Sequence, residues 1–556
     1  MNQYADQAIH ANPHIASGSI SHMSGQEYPN AAERKRTIRA CVFHFCLVPV
    51  AFCLPTHAAT VAGMLQVKAI DLRLFNMRTR LPFRYGIVTL RACPHLFLKL
   101  TLDVDGKTFT GVAADHLPPK WFTKNPQTPF EDDLRDMIEL IRHAADHAAL
   151  AGSQPDLYSL VSRVYFEQSI WGREKAFPPL LYNFGVSLVE RAAIEAFCKA
   201  TRTTFATAVR ENLLGIRFSG FADQRLMLDY AELGDTQPAQ WLPKQPLRQI
   251  TARHTVGLVD YLTDDQIPPA DRVDDGLPQS FEACIRYYGL RHFKLKIAGD
   301  VEKDLDRLRQ IFTIIARHVS GNWAFTVDGN ENYKQIGAFR QLWERLAADP
   351  SVKPHLPRLI FVEQPLHRDV ALSDQVKSEL AAWPTRPPII IDESDGEPGA
   401  LIRALDCGYV GTSHKNCKGI AKGIANACLL ESRRRTDPHA TYLLSGEDLS
   451  NVGPVSLQQD LAVCAALGIQ SVERNGHHYF KGLSMHSPAV QEQVLAHHGD
   501  LFRRHETGGF ATLNVSNGHL ATGSVVDAPF GVAFELDTTQ FTPLRDWRFD
   551  PGTNNG

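Results

Sequence analysis

Two lysines separated by one residue stand at the end of a predicted strand halfway along the chain. The stretch is RHFKLKIAGD, residues 291–300, in which Lys294 and Lys296 interrupt the apolar Phe293 and Ile297. Successive side chains of a strand point to opposite faces, so the two lysines share one face. Neighbouring ammonium groups disfavour each other's charged form, which lowers a lysine pKa toward the range of a general base. The pattern predicts Lys296 as that base and Lys294 as the neighbour that perturbs it.

Three carboxylates end three further predicted strands. Asp328 follows in TVDGN, Glu363 in FVEQP and Asp392 in IIIDES. Acids that converge at one point would repel and raise each other's pKa values unless a cation lay between them. Mg²⁺ takes oxygen ligands and keeps positions for water or substrate, and Mn²⁺ accepts the same donors. The sequence therefore predicts a magnesium site formed by Asp328, Glu363 and Asp392, with manganese as the alternative ion.

The next two predicted strands also end in charged residues. Lys415 ends YVGTSHK, so it would flank the metal on the side opposite Lys296. A metal there would stabilise the enediolate that forms when a proton leaves the carbon next to a carboxylate. Glu447 follows TYLLSG and has two interpretations, a substrate-specificity residue or an acid at a helix N-terminus. Four residues at and just after the last predicted strand either line the pocket or belong to a plain loop: Glu473, Arg474, His477 and His478.

Short β-branched runs alternate with helical stretches after residue 250, which indicates a parallel (β/α) barrel. In this fold the chemistry lies at the carboxyl ends of the strands, where all of these side chains stand. The eight predicted strands are HTVGLVD, HFKLKIA, AFTVDGN, LIFVEQP, PIIIDES, YVGTSHK, TYLLSGED and QSVERNG.

The pattern before and after the barrel differs from it. Residues 64–245 combine alternating runs, a hairpin signal at DVDGKTF, and helices predicted at 131–149 and 186–212, so they read as an α+β domain. The barrel occupies 246–500. Residues 501–545 return to strand signals in GGFATLNV and GVAFELD, and we expect these strands to rejoin the first domain.

Residues 1–63 form an N-terminal extension with several interpretations. Residues 1–33 are polar and typical of disorder, and ERKRTIR then precedes the apolar ACVFHFCLVPVAFCL and PTHAA. That order resembles a secretory signal, which would make the protein exported, and the run is too short to span a bilayer as a helix. The alternative is that translation starts at Met64, which would make the protein cytoplasmic.

Composition excludes some classes of protein. The 556-residue chain carries a net charge of -3, so no basic excess points to nucleic acid or to an anionic membrane surface. Its ten cysteines include no C-x-x-C pair, which argues against zinc ribbons and redox motifs. Most stand in apolar runs, and we expect them to be buried, reduced thiols.

Five motifs in this order resemble the enolase superfamily, and more narrowly the muconate lactonizing enzyme subgroup of the mandelate racemase/muconate lactonizing enzyme family. They are Lys294-Leu295-Lys296, Asp328-Gly329-Asn330, Glu363-Gln364-Pro365, Asp392-Glu393-Ser394 and Lys415 through Gly419. The resemblance covers about 64–545. It implies a modified TIM barrel beneath an α+β capping domain that the C-terminal tail completes. Relatives are often multimers, so a homo-oligomer stays open.

The resemblance also implies roles for residues. Asp328, Glu363 and Asp392 would hold Mg²⁺, and Lys296 and Lys415 would be acid/base catalysts on opposite faces of the substrate. Asn330 and Glu393 would support them, with Glu393 orienting Lys415. The LPFRYG stretch, 81–86, is similar to a mobile substrate-closing loop. Arg84, Tyr85 and Trp121 are candidate substrate contacts, with packing as the alternative for the aromatic residues.

Two opposed lysines fit more than one reaction on a small carboxylic acid. If both act on one carbon, the result is racemisation or epimerisation, here of an acyl-amino acid or related acid. If a β-substituent leaves, the result is a dehydratase or cycloisomerase reaction. The last barrel strand lacks the paired acids of dipeptide-epimerising relatives, which disfavours dipeptides. A third alternative is a non-catalytic relative that only binds a metal.

Overall fold

The computed structural model describes residues 64–219 and 230–551; the extension at 1–63 lies outside the described residues. An antiparallel sheet opens the chain, in the order β15-β1-β2-β3. Asp105 and Gly106 both have positive φ at the β2–β3 turn, which confirms the hairpin predicted at DVDGKTF. The strands are β1 (Leu65–Tyr85), β2 (Val88–Val104), β3 (Lys107–His116) and, from the C-terminus, β15 (Thr542–Pro543).

Helices pack on one face of this sheet. The helix predicted at 131–149 is confirmed, whereas the one predicted at 186–212 is two helices. The first of them ends where Arg202 turns left-handed, and the Thr204 hydroxyl then caps the second by accepting from the Thr207 amide. The helices are α1 (Phe130–Leu150), α2 (Leu157–Glu174), α3 (Pro179–Thr201) and α4 (Phe205–Arg210).

Helix α3 lies directly against strand β3 at Gly111. A Cβ atom there would lie 2.0 Å from the Ala192 carbonyl oxygen and 2.6 Å from the Ala196 nitrogen, both backbone atoms that cannot rotate away. We expect Gly111→Ala to lower the free energy of unfolding, measured in urea, by about 1–3 kcal/mol or more. Gly337→Ala is the matched control, because its Cβ would meet nothing within 4 Å. Equal stabilities for the two variants would contradict this packing.

Eight parallel strands form the closed barrel, since the last, β11, pairs with the first, β4. Seven of the eight predicted strands overlap the observed ones closely. The first was predicted at 254–260 but begins five residues earlier, at Gln249. Arg253, a polar residue that points into the barrel, interrupted the apolar pattern of its first half. The strands are β4 (Gln249–Val256), β5 (His292–Lys296), β6 (Ala324–Asp328), β7 (Leu359–Glu363), β8 (Ile389–Ile391), β9 (Gly411–His414), β10 (Leu443–Gly446) and β11 (Ser471–Arg474).

Helices surround the barrel, and each helix predicted between the strands is present. They are α5 (Phe281–Tyr288), α6 (Val301–His318), α7 (Ile336–Ala348), α8 (Arg368–Ala371), α9 (Asp374–Ala381), α10 (Ala400–Cys407), α11 (Ile420–Thr436), α12 (Ser456–Leu467), α13 (Gly476–Tyr479) and α14 (Pro488–His497). The fold class is therefore the one predicted, a (β/α) barrel with an α+β capping domain.

The C-terminal segment differs from its prediction in detail. Strands β12 (Phe502–Arg504) and β13 (Ala511–Leu513) pair with each other, and β14 (His519–Ala521) joins β4 of the barrel. The short helix α15 (Gly523–Asp527) follows, and residues 531–537 have no strand, contrary to the prediction for GVAFELD. In the C-terminal segment as far as residue 551, only β15 reaches the first sheet, where it pairs with β1. The two residues of β15, Thr542 and Pro543, come shortly after GVAFELD, the second of the stretches that suggested this return.

His116 connects the capping sheet to the barrel side. Its buried ring lies with Nδ1 3.2 Å from the Leu449 carbonyl oxygen. Burial lowers the pKa of His116 to about 4, against the opposing effect of that carbonyl. The native state therefore keeps the imidazole neutral down to about pH 4, whereas the unfolded chain takes up a proton below about pH 6.5. The stability contributed by this ring is complete above pH 6.5 and is lost as the pH falls.

We expect His116→Gln to remove this pH dependence. The difference in unfolding free energy between wild type and variant should fall by about 2 kcal/mol between pH 7 and pH 5. Urea unfolding at the two pH values measures it. Using the difference cancels the other titrating groups, which are common to both proteins. A difference that is independent of pH would mean that His116 titrates normally in the native state.

The seven cysteines in the described part of the chain are buried, free thiols, as predicted; Cys41, Cys46 and Cys53 lie outside it. None of the helices in residues 64–219 and 230–551 has the length and apolar character needed to cross a membrane.

Candidate active site

A cavity of about 60 Å³ lies between the capping domain and the carboxyl ends of the barrel strands. The hairpin that joins β1 to β2 contributes Phe83 and Leu90, and the segment after β3 contributes Trp121. From the barrel come the side chains that the sequence singled out. Those that line the cavity are Lys294, Lys296, Asp328, Asn330, Asp392, Glu393 and Lys415.

The three predicted carboxylates end neighbouring strands. Asp328 ends β6, Glu363 ends β7 opposite it in register, and Asp392 follows β8 directly. All three are buried. A fourth acid, Glu447 after β10, belongs with them: one oxygen each from Glu363, Asp392 and Glu447 lie within 4.8 Å of one another. The structure thus adds Glu447 to the acids predicted as a metal site, and Asp328 is not in that tightest group.

This donor set fits a hard divalent cation. It consists of carboxylate oxygens, which Mg²⁺ prefers. Burial and the neighbouring Glu447 raise the pKa of Glu363 well above its usual range. Asp328, Glu363, Asp392 and Glu447 are the residues that would hold Mg²⁺ here.

Lys294 lies among these acids. Its Nζ is 3.0 Å from Asp328, 2.8 Å from Glu363, 2.8 Å from Glu447 and 2.9 Å from Glu473. Burial favours the neutral amine, but the four carboxylates outweigh it and hold the pKa of Lys294 well above its usual range. The prediction that Lys294 mainly perturbs Lys296 therefore needs correction. Its ammonium group compensates the acids, a role that the spacing of the two lysines could not reveal.

We expect Lys294→Met to make the protein depend on magnesium for stability. Without the metal, loss of the ammonium leaves buried carboxylates uncompensated, at a cost of about 3–5 kcal/mol in unfolding free energy. Mg²⁺ that binds only the native state should restore part of it. Melting temperatures with and without Mg²⁺ measure this, and the increase should be larger than in wild type. Lys422→Met is the matched control, a buried lysine paired with Asp395, and should show no such rescue.

Lys296 and Lys415 end β5 and follow β9, respectively. Lys296 Nζ donates to Asp328 at 2.5 Å. Lys415 Nζ donates to Asp392 at 2.8 Å and to Glu447 at 2.7 Å, and lies 5.3 Å from the centre of the Trp121 ring. Burial disfavours the charged amine of Lys415, but Asp392 and Glu447 favour it more strongly. Together they raise the pKa of Lys415 well above its usual range. The structure thus brings both predicted catalysts to one cavity.

The expected partner of Lys415 is different. Glu393 was predicted to orient this lysine, whereas within the described residues the hydrogen bonds of Lys415 Nζ go to Asp392 and Glu447. Glu393 lines the cavity instead, and burial together with the negative charge of Asp392 raises its pKa to about 8. Asn330 lies beside Asp328, whose Oδ1 accepts its backbone amide at 2.8 Å.

The residues predicted in the cap separate into two groups. Tyr85 and Trp121 line the cavity, and the Tyr85 hydroxyl donates to the Pro119 carbonyl at 2.8 Å. Arg84 is exposed and is not part of the lining, because strand alternation turns it away from Phe83 and Tyr85. The stretch 81–86 forms the end of β1 and its turn, with Phe83 stacked on Tyr479 at 4.1 Å between ring centroids.

Several residues of the site were missed or left open by sequence reasoning. Lys418 Nζ donates to the Asp392 side chain at 2.7 Å. The sequence could have indicated it, because Lys418 is the second lysine of the motif from Lys415 to Gly419. Glu447 was left with two interpretations; it is buried, accepts from Arg253 at 3.2 Å, and lies well before α12, which begins at Ser456. The partly buried Arg368 and the buried Glu331 form an ion pair in the lining of the cavity, for which the sequence offered no pattern.

Solved structures share this architecture. A dipeptide epimerase from Enterococcus faecalis V583, complexed with Mg and the dipeptide L-Leu-L-Tyr, matches with a TM-score of 0.53 and 13% identity over 84% of this chain and 99% of its own. A muconate lactonizing enzyme from Mycobacterium smegmatis, complexed with muconolactone, matches with a TM-score of 0.50 and 16% identity over 87% of this chain and 100% of its own. The chain has the enolase-superfamily fold. No family model and no curated protein matches it.

Within the enolase-superfamily fold, the resemblance predicted from the five motifs is confirmed for the architecture. At 13% and 16% identity a shared fold does not establish a shared reaction, so the reaction has to follow from the residues in the cavity.

Proposed function

We propose that this chain is a Mg²⁺-dependent enzyme that removes the proton α to a substrate carboxylate. Lys296 and Lys415 are the acid/base pair, and racemisation or epimerisation of an acyl-amino acid or related acid is the reaction. The observation that carries the proposal is that two buried lysines from distant parts of the barrel face the same small cavity.

The positions of the two lysines in the barrel support opposed catalysis. Lys296 belongs to β5, the second barrel strand, and Lys415 follows β9, the sixth. In a closed sheet of eight strands these two are four strands apart in either direction, on opposite sides of the axis. A substrate carbon between them would meet one amine on each face. One lysine removes a proton from one face and the other returns a proton to the opposite face.

The acids beneath the cavity supply the second element. Mg²⁺ bound by Asp328, Glu363, Asp392 and Glu447 would supply the positive charge that stabilises an enediolate. Asp328 accepts from Lys296, and Asp392 accepts from Lys415, so the same carboxylates hold both amines in position.

The lining of the cavity supports the substrate class. Its capping side carries the apolar Phe83, Leu90 and Trp121 together with Lys120 and Lys124, and its barrel side is charged. A small acid with an apolar substituent matches these two sides. Elimination and the reverse of a cycloisomerisation begin with the same proton removal, so a dehydratase or cycloisomerase is the alternative that the experiment must separate.

The test is deuterium incorporation. Purified protein and Mg²⁺ are incubated in D₂O with a pool of acyl-amino acids, dipeptides, sugar acids and dienoate lactones, and the acids are read by mass spectrometry. We expect a gain of one mass unit in an acyl-amino acid or related acid. Loss of water or opening of a lactone would establish the alternative reaction. No exchange in any acid, with Mg²⁺ shown to be bound, would support a non-catalytic metal-binding protein and overturn the proposal.

A further inference from the structure

A second cluster of potential metal ligands lies outside the active-site cavity. His254 is on β4, Cys284 on α5 and His478 on α13, and all three side chains are buried. Neighbouring residues of β4 show which way His254 faces. Arg253 and Thr255 contact Glu447 and Glu473 inside the barrel, so His254 points outward, to the layer between strand and helices.

The donor atoms of this cluster are close together. One ligand atom each from His254, Cys284 and His478 lie within 4.8 Å of one another. Cys284 Sγ is 3.5 Å from His478 Nδ1. In tetrahedral zinc sites, with Zn–S near 2.3 Å and Zn–N near 2.0–2.1 Å, neighbouring sulfur and nitrogen donors lie about 3.5–3.6 Å apart. The observed pair already has that separation.

We propose that His254, Cys284 and His478 form a zinc site in which water takes the fourth position and the metal links β4, α5 and α13. Two imidazoles and one thiolate are donors that zinc accepts and that Mg²⁺ does not favour, so the ion differs in kind from the one at the acids. His477 is not one of the proposed ligands but contacts one of them. Its Nε2 lies 3.3 Å from His254 Nδ1, which leaves Nε2 of His254 for the metal and fixes its ring.

The protonation states suit a metal. Burial lowers the pKa of His254 to about 3, and burial together with His254 and Arg80 lowers the pKa of His478 well below its usual range. Both rings are therefore neutral at physiological pH, which is the form that binds a metal. Burial raises the pKa of the Cys284 thiol, so zinc binding would release its proton to solvent.

The proposed zinc site includes a residue of the short helix α13, which contacts the cap. Helix α13 begins two residues after β11, the strand that carries Glu473, and it includes Tyr479, on which Phe83 of the cap stacks. A metal that joins His478 to β4 and α5 would hold this short helix in place. It would thereby fix both the Glu473 side of the cavity and the hairpin that covers it.

Cobalt and zinc test the site directly. The full chain is prepared from zinc-supplemented cells and analysed for metal by mass spectrometry. Its zinc is then removed with a chelator, and the metal-free protein is loaded with Co²⁺ in excess Mg²⁺. We expect one zinc per chain, and a thiolate-to-cobalt charge-transfer band with the intense visible absorption of a tetrahedral site. Cys284→Ser and His478→Gln should lose the zinc, and the band should disappear with Cys284. His477→Gln should weaken affinity about 10–100-fold.

The controls separate this site from the others. Cys464→Ser, another buried free thiol, should keep both zinc and band. Cobalt held by the acids would give no thiolate band and would be displaced by Mg²⁺. If Cys284→Ser does not fold, the wild-type spectrum decides. Wild-type protein without zinc and without the thiolate band, or a Cys284→Ser variant that retains the band, would overturn the proposal.

Discussion

Replacing either Lys296 or Lys415 by alanine is expected to lower turnover by about 10²–10⁴-fold, the usual contribution of a general acid/base. Both amines face the cavity from opposite sides, so neither can replace the other. The two variants should differ in stereochemistry. Each retains one amine and should therefore exchange the α-proton of only one enantiomer, while interconversion is lost in both.

The measurement is α-proton exchange in D₂O with each enantiomer separately, followed by NMR or mass spectrometry. Lys422→Ala is the matched control, since it also removes a buried lysine that is paired with an acid, away from the cavity. It should keep both exchange reactions if it folds. Full activity of both Lys296→Ala and Lys415→Ala would exclude the two-base scheme. Loss of all exchange in one variant and none in the other would indicate a single base, as in elimination.

Glu363→Gln is expected to weaken Mg²⁺ binding by more than about 100-fold, because loss of a ligand exceeds the 10–100-fold effect of losing an outer partner. Glu363 is fully buried and lies within reach of Asp392 and Glu447, so no water can take its place without disturbing them. Calorimetric titration with Mg²⁺, or Mn²⁺ binding followed by electron paramagnetic resonance, gives the affinity without relying on activity. Turnover should fall in parallel.

Glu195→Gln makes the same chemical change at a buried acid in α3, where the carboxylate accepts from the Val112 amide. Its Mg²⁺ affinity should equal that of wild type. If Glu363→Gln bound Mg²⁺ as tightly as wild type, the metal would lie elsewhere. In that case Lys294 and the neighbouring lysines would compensate the acids without a metal.

The sequence by itself determined the barrel and the positions of its charged residues. Side-chain alternation and the carboxyl-end rule depend only on local periodicity, and they were enough to bring Lys296, Asp328 and Lys415 to one end of the barrel. The fold and the main charged residues of the cavity therefore followed from the order of short motifs. Periodicity failed where buried polar residues interrupted it, as at Arg253 in the first barrel strand.

Only the tertiary structure decided which charges meet. Lys294 compensates four acids that come from four strands. Glu447 lies with Glu363 and Asp392. Lys415 is held by Asp392 and Glu447 rather than by Glu393. These partners are far apart in the chain, and their contacts depend on barrel closure and on side-chain conformation, neither of which leaves a local pattern. The same holds for His254, Cys284 and His478, whose spacing of 30 and 194 residues hides a cluster that closure of β11 against β4 brings together.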